Sequence, residues 1–184
     1  MTETVLALNA GSATFKYSAY RLGDGRELEL VAATLEATDL PGSLSTVLAR
    51  LATVTSEQAS IVGHRLVHGG PYFSAPIAVN DSVFSQLQAL VELAPLHLPP
   101  ALQLLSQARQ RLPRALHVAC FDTAFHGTLP EAARRFALPQ ELYEAGVRRY
   151  GFHGLSYEYV LSTFGPTPPQ RLVIAHLGSG ASMA

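Results

Sequence analysis

Apolar and polar residues alternate along the opening of the chain and fall into helical spacing further on. Val5–Leu8 is a short apolar run that ends in Asn9-Ala10-Gly11-Ser12. Phe15–Arg21 follows, with Phe15, Tyr17 and Ala19 alternating against Lys16, Ser18 and Tyr20. That period of two predicts strand, small-residue turn, strand. Gly23-Asp24-Gly25 predicts a tight turn into a third strand over Glu27–Leu35, so the opening is an antiparallel meander. A helix is predicted over Ser43–Leu51 and a buried strand over Ile61–Val67, closed by Gly69-Gly70-Pro71. Asp81 can cap a helix to about Leu93, with Val83, Leu87, Leu90 and Val91 inward, ended by Pro95. Pro99-Pro100 open the next helix, Leu102, Leu105 and Ala108 form its stripe, and Pro113 closes it. Leu116–Phe121 reads as a buried strand, and residues 130–135 and 139–145 as short helices. Leu155–Thr163 reads as a helix, 165–169 as a linker or turn, Leu172–His176 as a strand and Gly178-Ser179-Gly180 as a turn.

Composition narrows the class. Hydrophobic residues are 48% of 184 and charged residues 15%, which is ample for a buried core and excludes disorder as the main state. No apolar run reaches the roughly 18 residues of a membrane span, and the first residues lack a basic signal region. The single cysteine, Cys120, sits in an apolar run, where a buried inert thiol is expected. A reducing, cytoplasmic setting is therefore expected. Net charge is −1, so no basic face for nucleic acid is expected.

Four segments carry candidate chemistry. Asn9-Ala10-Gly11-Ser12-Ala13-Thr14-Phe15-Lys16 can cradle phosphate, since Gly11 allows close approach, Ser12 and Thr14 donate, and Lys16 supplies charge. It lacks the second glycine of a Walker A loop, and an ordinary hairpin turn is the alternative. Gly63–Gly70 places Arg65 and Val67 on one strand face and His64, Leu66 and His68 on the other. A guanidinium beside an apolar residue suits a small carboxylate or phosphoryl group, whereas two histidines alone make a poor zinc site. Asp122, at the end of a strand among apolar neighbours, is either a turn carboxylate or one that organises a metal or an arginine. Arg148–Gly154 combines cations, aromatics and His153 in a glycine-flanked loop, which can also be simply solvated. A Ser-His-Asp hydrolase can be assembled from the letters present, but nothing in the spacing favours it.

Taken together, and with Ala94-Pro95-Leu96-His97 and His176-Leu177-Gly178 added, these segments resemble the acetate kinase family, in that family's order along almost the whole chain. The resemblance implies an α/β ribonuclease-H-like fold of the actin, Hsp70 and sugar-kinase superfamily with a mixed sheet. It implies a first domain over residues 1–150 and the beginning of a second, nucleotide-side domain over 151–184. The family chain is roughly twice this length. The sequence, which ends four residues after its last glycine turn, is expected to be incomplete and inactive by itself.

The implied activity is reversible transfer of the γ-phosphoryl group of ATP to acetate, with Mg²⁺ or Mn²⁺, in a cytoplasmic homodimer that binds neither membrane nor nucleic acid. Asn9 is implied near the metal, with Ser12, Thr14 and Lys16 at the phosphates. Arg65 clamps the carboxylate, and Val67, Leu96 and Phe152 line the methyl pocket. Asp122 is the implied catalytic-site acid. His97, His153 and His176 approach the transferred group, with His153 the stabilising residue, and Gly178, Ser179 and Gly180 contact nucleotide. Two positions depart from the family pattern: Tyr157 stands where histidine is common, and Ser179 where asparagine is. Propionate is an implied alternative substrate, because one methylene is worth only about 1–3 kcal/mol. A non-catalytic remnant kept as a binding or assembly piece is the alternative function.

Overall fold

The computed structural model describes residues 2–11, 14–36, 40–178 and 180–184. The chain divides into two compact units: Met1–Leu66 with Ile77–Cys120, and Val67–Pro76 with Phe121–Ala184.

In the first unit, β1 (Glu3–Ala10), β2 (Thr14–Gly23) and β3 (Arg26–Glu36) form the expected antiparallel meander. Asp24 and Gly25 both take positive φ, 51° and 69°, and Gly23 pairs with Arg26. This two-residue left-handed turn matches the strand twist. Helix α1 (Leu40–Val54) follows, and β4 (Ile61–Leu66) then pairs parallel with β1, Leu8 opposite His64. A two-residue β5 (Ile77–Ala78) escapes a periodicity reading because it is shorter than one repeat of any useful window.

Helix α2 (Asp81–Gln88) is shorter than expected. Asn80, not Asp81, is its N-cap, its side chain accepting from Val83 N at 2.8 Å. The chain then tightens into a 3₁₀ turn over Val91–Leu93, and Ala94, at φ −149° and ψ 66° before Pro95, lies outside the helical region. Helix α3 (Leu98–Arg111) begins one residue before the proline pair and leads to β6 (Leu116–Phe121).

The sheet order is β3-β2-β1-β4-β6-β5, a mixed sheet as expected. Leu6, Leu8, Phe15 and Tyr17 point from its core face, where Leu44 and Val47 of α1 and Leu104 and Ala108 of α3 complete the core. Strict alternation puts Asn9, Lys16 and Arg65 on the opposite face. Cys120 is half-buried rather than buried, because it points from the strand on the face away from Ala119 and Phe121.

A polar pair lies within this unit. His117 Nε2 is 3.1 Å from the Leu112 carbonyl, which can only accept, so the His117 proton is on Nε2. Its Nδ1 then accepts from His64 Nε2 at 3.0 Å, and His64 Nδ1 is left buried without a hydrogen-bond partner. Burial, followed by the neighbouring His117, lowers the His64 pKa to about 3. Unfolding returns it to the ordinary 6.5. Between those values the unfolded chain binds the extra proton, so stability falls as pH falls from 6.5 towards 3. His64 alone makes the protein about 2 kcal/mol less stable at pH 5 than at pH 7. Urea unfolding at the two pH values measures this, and His64→Gln is expected to flatten the dependence.

The second unit carries short helices α4 (Glu131–Arg134) and α5 (Gln140–Glu144), then α6 (Gly154–Ser162). The expected strand over Leu172–His176 reduces to β7 (Ala175–Leu177), paired antiparallel with β8 (Ala181–Met183). The ladder extends only one residue further, where Ile174 and Ala184 exchange hydrogen bonds. Upstream of Ile174 no strand among the described residues lies alongside it. Segment 67–76 folds onto residue 121 through Phe73, whose ring stacks on Phe121 at 5.3 Å. Gly69 has no room for a side chain there, since a Cβ would lie 2.3 Å from the Phe73 carbonyl oxygen.

Among the described residues, no helix is long and apolar enough to cross a membrane.

Candidate active site

The first unit contributes a polar cluster at the C-terminal ends of β1 and β4. Their parallel register aligns Leu8 with His64, so the next residues, Asn9 and Arg65, share a face. Arg65 Nη1 donates to Asn9 Oδ1 at 2.9 Å. Lys16 sits opposite Asn9 on β2 and is exposed. The turn between β1 and β2 is tight, with Gly11 N donating to the Thr14 carbonyl at 2.8 Å. A Cβ on Gly11 would meet that oxygen at 2.9 Å, so glycine is needed. Leu96 and His97 sit at the entry to α3, both exposed, Leu96 at 82%. Ser12 and Ser179 lie outside the described residues.

The second unit gathers the remaining residues. Asp122 follows β6 and is 1% exposed. Its carbonyl accepts from Gly154 N at 2.8 Å, which ties the acid to the start of α6. Thr123 Oγ1 accepts from Gly69 N at 3.0 Å. His68 Nδ1 accepts from Gly70 N at 2.8 Å, and its ring meets Tyr150 and Phe152 edge-on at 4.4 and 5.7 Å. Burial lowers the His68 pKa, so the ring is neutral with its proton on Nε2. Phe152 is held from the other side by His126 Nε2, which donates to the Phe152 carbonyl at 3.0 Å.

His153 is the most constrained of these residues. Its φ of 59° and ψ of 19° place a non-glycine side chain in the left-handed region. That conformation costs roughly 1–2 kcal/mol and persists only where the surroundings enforce it. Its ring stacks on His176 at 4.1 Å, and its Nδ1 bonds Ser182 Oγ at 2.7 Å. Ser182 Oγ also bonds the hydroxyl of Tyr157, whose buried ring packs against Phe125 and His126. His176 Nδ1 bonds Ser156 Oγ at 3.0 Å. A Cβ on Gly180 would lie 3.8 Å from His153 Nε2, so the glycine turn runs past that edge of the ring.

Tyr157 therefore fills its departing position and anchors Ser182. Sequence reasoning missed Ser182, Ser156 and the positioning role of His126. The signal for Ser182 was present: a glycine turn at 178–180 joining two strands puts His176 and Ser182 opposite each other. Ser182→Ala is expected to leave His153 Nδ1 and Tyr157 Oη without this shared partner and to lower stability by about 1–3 kcal/mol. Thermal unfolding and the ¹⁵N shifts of the His153 ring measure the two consequences.

Among the described residues, no group of three or more His, Cys, Asp or Glu could hold a metal. Each unit by itself offers an oxygen donor: in the first Asn9 Oδ1, which keeps one lone pair beyond the Arg65 bond, and in the second the Asp122 carboxylate.

The sequence matches the Acetokinase family over residues 23–184. It is 39% identical over 216 aligned residues to an acetate kinase of Rhodopseudomonas palustris strain TIE-1, covering all of this chain and 54% of that protein. An acetate kinase of Deinococcus radiodurans is 46% identical over 157 residues, covering 82% of this chain and 39% of its own. Among solved structures, Porphyromonas gingivalis acetate kinase superposes with a TM-score of 0.78 at 31% identity, over 98% of this chain and 54% of that one. A propionate kinase from Francisella tularensis gives a TM-score of 0.79 at 28% identity, over 98% and 54%. The chain spans about half the length of the curated relatives it matches, and aligns with their N-terminal part. The mixed sheet thus belongs to the actin-like kinase fold expected from the sequence, and the chain belongs to the acetokinase family.

Proposed function

We propose that this chain is the N-terminal part of a carboxylate kinase that transfers the γ-phosphoryl group of ATP to acetate, reversibly giving acetyl phosphate and ADP. The observation that carries the reading is Arg65 locked to Asn9 beside the glycine turn, on the sheet face opposite the core. In this reaction an acetate oxygen attacks the γ-phosphorus as the bond to the ADP oxygen breaks. Acetate is already ionised near pH 7, so no group need remove a proton from it. Catalysis then rests on positioning and charge neutralisation.

Arg65 is assigned the charge of the carboxylate and transferring group, since its fork matches their paired oxygens. His153, its ring fixed by Ser182 and His176, is assigned the equatorial phosphoryl oxygens, with His97 and His176 in support. Asn9, Ser12, Thr14 and Lys16 are assigned the phosphate side, and Gly178, Ser179 and Gly180 the nucleotide. Val67, Leu96 and Phe152 are assigned the methyl group. Asp122 orients cationic groups and is not a base. Asn9 is assigned the metal, and Mg²⁺ or Mn²⁺ held there would supply further neutralisation of phosphate charge. Propionate is the alternative acceptor, in keeping with the likeness to a propionate kinase. Homodimerisation and a cytoplasmic location belong to the same reading.

A hydroxamate assay with ATP and acetate tests it. A chimera of this chain with the C-terminal half of the Rhodopseudomonas palustris acetate kinase is expected to trap acetyl phosphate. The 184-residue chain alone is expected to trap none, because its relatives are nearly twice as long. A folded chimera without ATP-dependent product would overturn the kinase reading and favour a non-catalytic binding piece.

A further inference from the structure

A cavity of about 210 Å³ in the second unit is lined by three arginines, Arg134, Arg148 and Arg149, and by no acidic residue. Fourteen residues of chain lie between the first and the last. They are brought together by the backbone bond from Arg149 N to the Arg134 carbonyl at 2.8 Å. None of the three guanidinium groups has a carboxylate partner among the described residues. The contrast with Arg135 is direct: that neighbour pairs with Glu131 at 2.9 Å and also reaches Gln140.

The Nε atoms of Arg134 and Arg148 are buried and have no hydrogen-bond partner. A desolvated charged donor without an acceptor is costly, and natural structures seldom keep one without a use. Two of the three arginines lie within cation–π range of aromatic rings, Arg148 Cζ at 5.3 Å from the Tyr143 centroid and Arg149 Cζ at 5.4 Å from that of Phe136. A ring face attracts a guanidinium without supplying an acceptor to its N–H groups. Ser74, Thr123 and Tyr150 add hydroxyls to the lining. Burial raises the Tyr150 pKa, so that phenol keeps its proton and can donate.

We propose that this cavity is a binding site for a small oxyanion of the phosphate type, with Arg134, Arg148 and Arg149 as its cationic donors. Three guanidinium groups around one centre match a group with three or more oxygens and a charge near −2, where a lone carboxylate would be met by one fork. The volume lies below the roughly 300–1,000 Å³ of pockets that take drug-sized ligands, which excludes a whole nucleotide. None of the lining residues is assigned to phosphoryl transfer above, so the site stands independently of the kinase reading.

Titration of the 184-residue chain with inorganic phosphate, followed through the arginine Nε–H resonances by NMR, tests the proposal. The Arg134 and Arg148 signals are expected to shift and saturate with phosphate, and with sulfate as a second tetrahedral anion. Saturation by malonate with equal affinity would replace the phosphate class by dicarboxylates and overturn that part. Arg148→Gln with Arg149→Gln is expected to weaken phosphate binding about tenfold to a hundredfold. Arg109→Gln with Arg111→Gln, an equal change of net charge in the first unit, is expected to leave it unchanged. Failure of the Arg134 and Arg148 Nε–H signals to move in the unsubstituted chain would sink the proposal, whether or not the double variant folds.

Discussion

Replacing Arg65 by alanine is expected to lower turnover in the chimeric enzyme about 10³-fold, the scale of removing a cation that acts on a phosphoryl transition state. An anionic acetate must approach an already anionic phosphoryl group, so repulsion between them is the barrier a protein cation can relieve. Arg65 is prepared for this before substrate arrives. Its guanidinium is partly buried and one Nη is fixed on Asn9 Oδ1 at 2.9 Å, which removes rotamer freedom in advance. Arg65→Lys should recover little, because an ammonium is a point charge without the paired N–H geometry. Turnover and the KM for acetate in the hydroxamate assay, with thermal unfolding as a folding control, make the measurement. Turnover near that of the unsubstituted chimera would remove Arg65 from the site.

Gly154→Ala is expected to be strongly damaging to the second unit. A Cβ at this position would lie 2.4 Å from the Asp122 carbonyl oxygen and 2.5 Å from Phe125 Cβ. The first of these neighbours is backbone and cannot rotate away, and the same carbonyl accepts from Gly154 N at 2.8 Å. Relief requires the start of α6 to withdraw from the end of β6. A cost of about 3 kcal/mol is expected, or roughly 6–12 °C in Tm for a chain of this size. The shift would also displace Asp122 and His153, since Gly154 adjoins one in sequence and bonds the other. A misplacement near 1 Å costs about 10² in rate, so the surviving folded fraction should be slow as well. Differential scanning calorimetry and turnover per folded molecule separate the two effects.

The strand–turn–strand opening was legible because alternation and a two-residue glycine turn are local signals. Asn9 and Arg65 were legible as residue types, but their bond depends on the parallel register of β1 with β4, which is set across some fifty intervening residues. The end of α2 was misplaced because apolar spacing continues through Val91, while the helix ends at Gln88 and the chain tightens into a 3₁₀ turn over Val91–Leu93. Ser182 was missed because a three-residue strand shows no period of its own, so its place opposite His176 follows only when the glycine turn at 178–180 is taken to join two paired strands. Arg148 and Arg149 stay open in the sequence between candidate chemistry and a solvated loop, because sequence cannot show that no carboxylate among the described residues pairs with them.

The left-handed backbone of His153 has a consequence for how substitutions there are interpreted. Alanine at this position removes the imidazole and also retains a Cβ in a conformation that alanine disfavours, so two losses are added together. Asparagine removes the ring yet tolerates positive φ far better. The difference between the two variants isolates the part borne by the main chain, and the asparagine variant alone reports what the imidazole contributes to the chemistry.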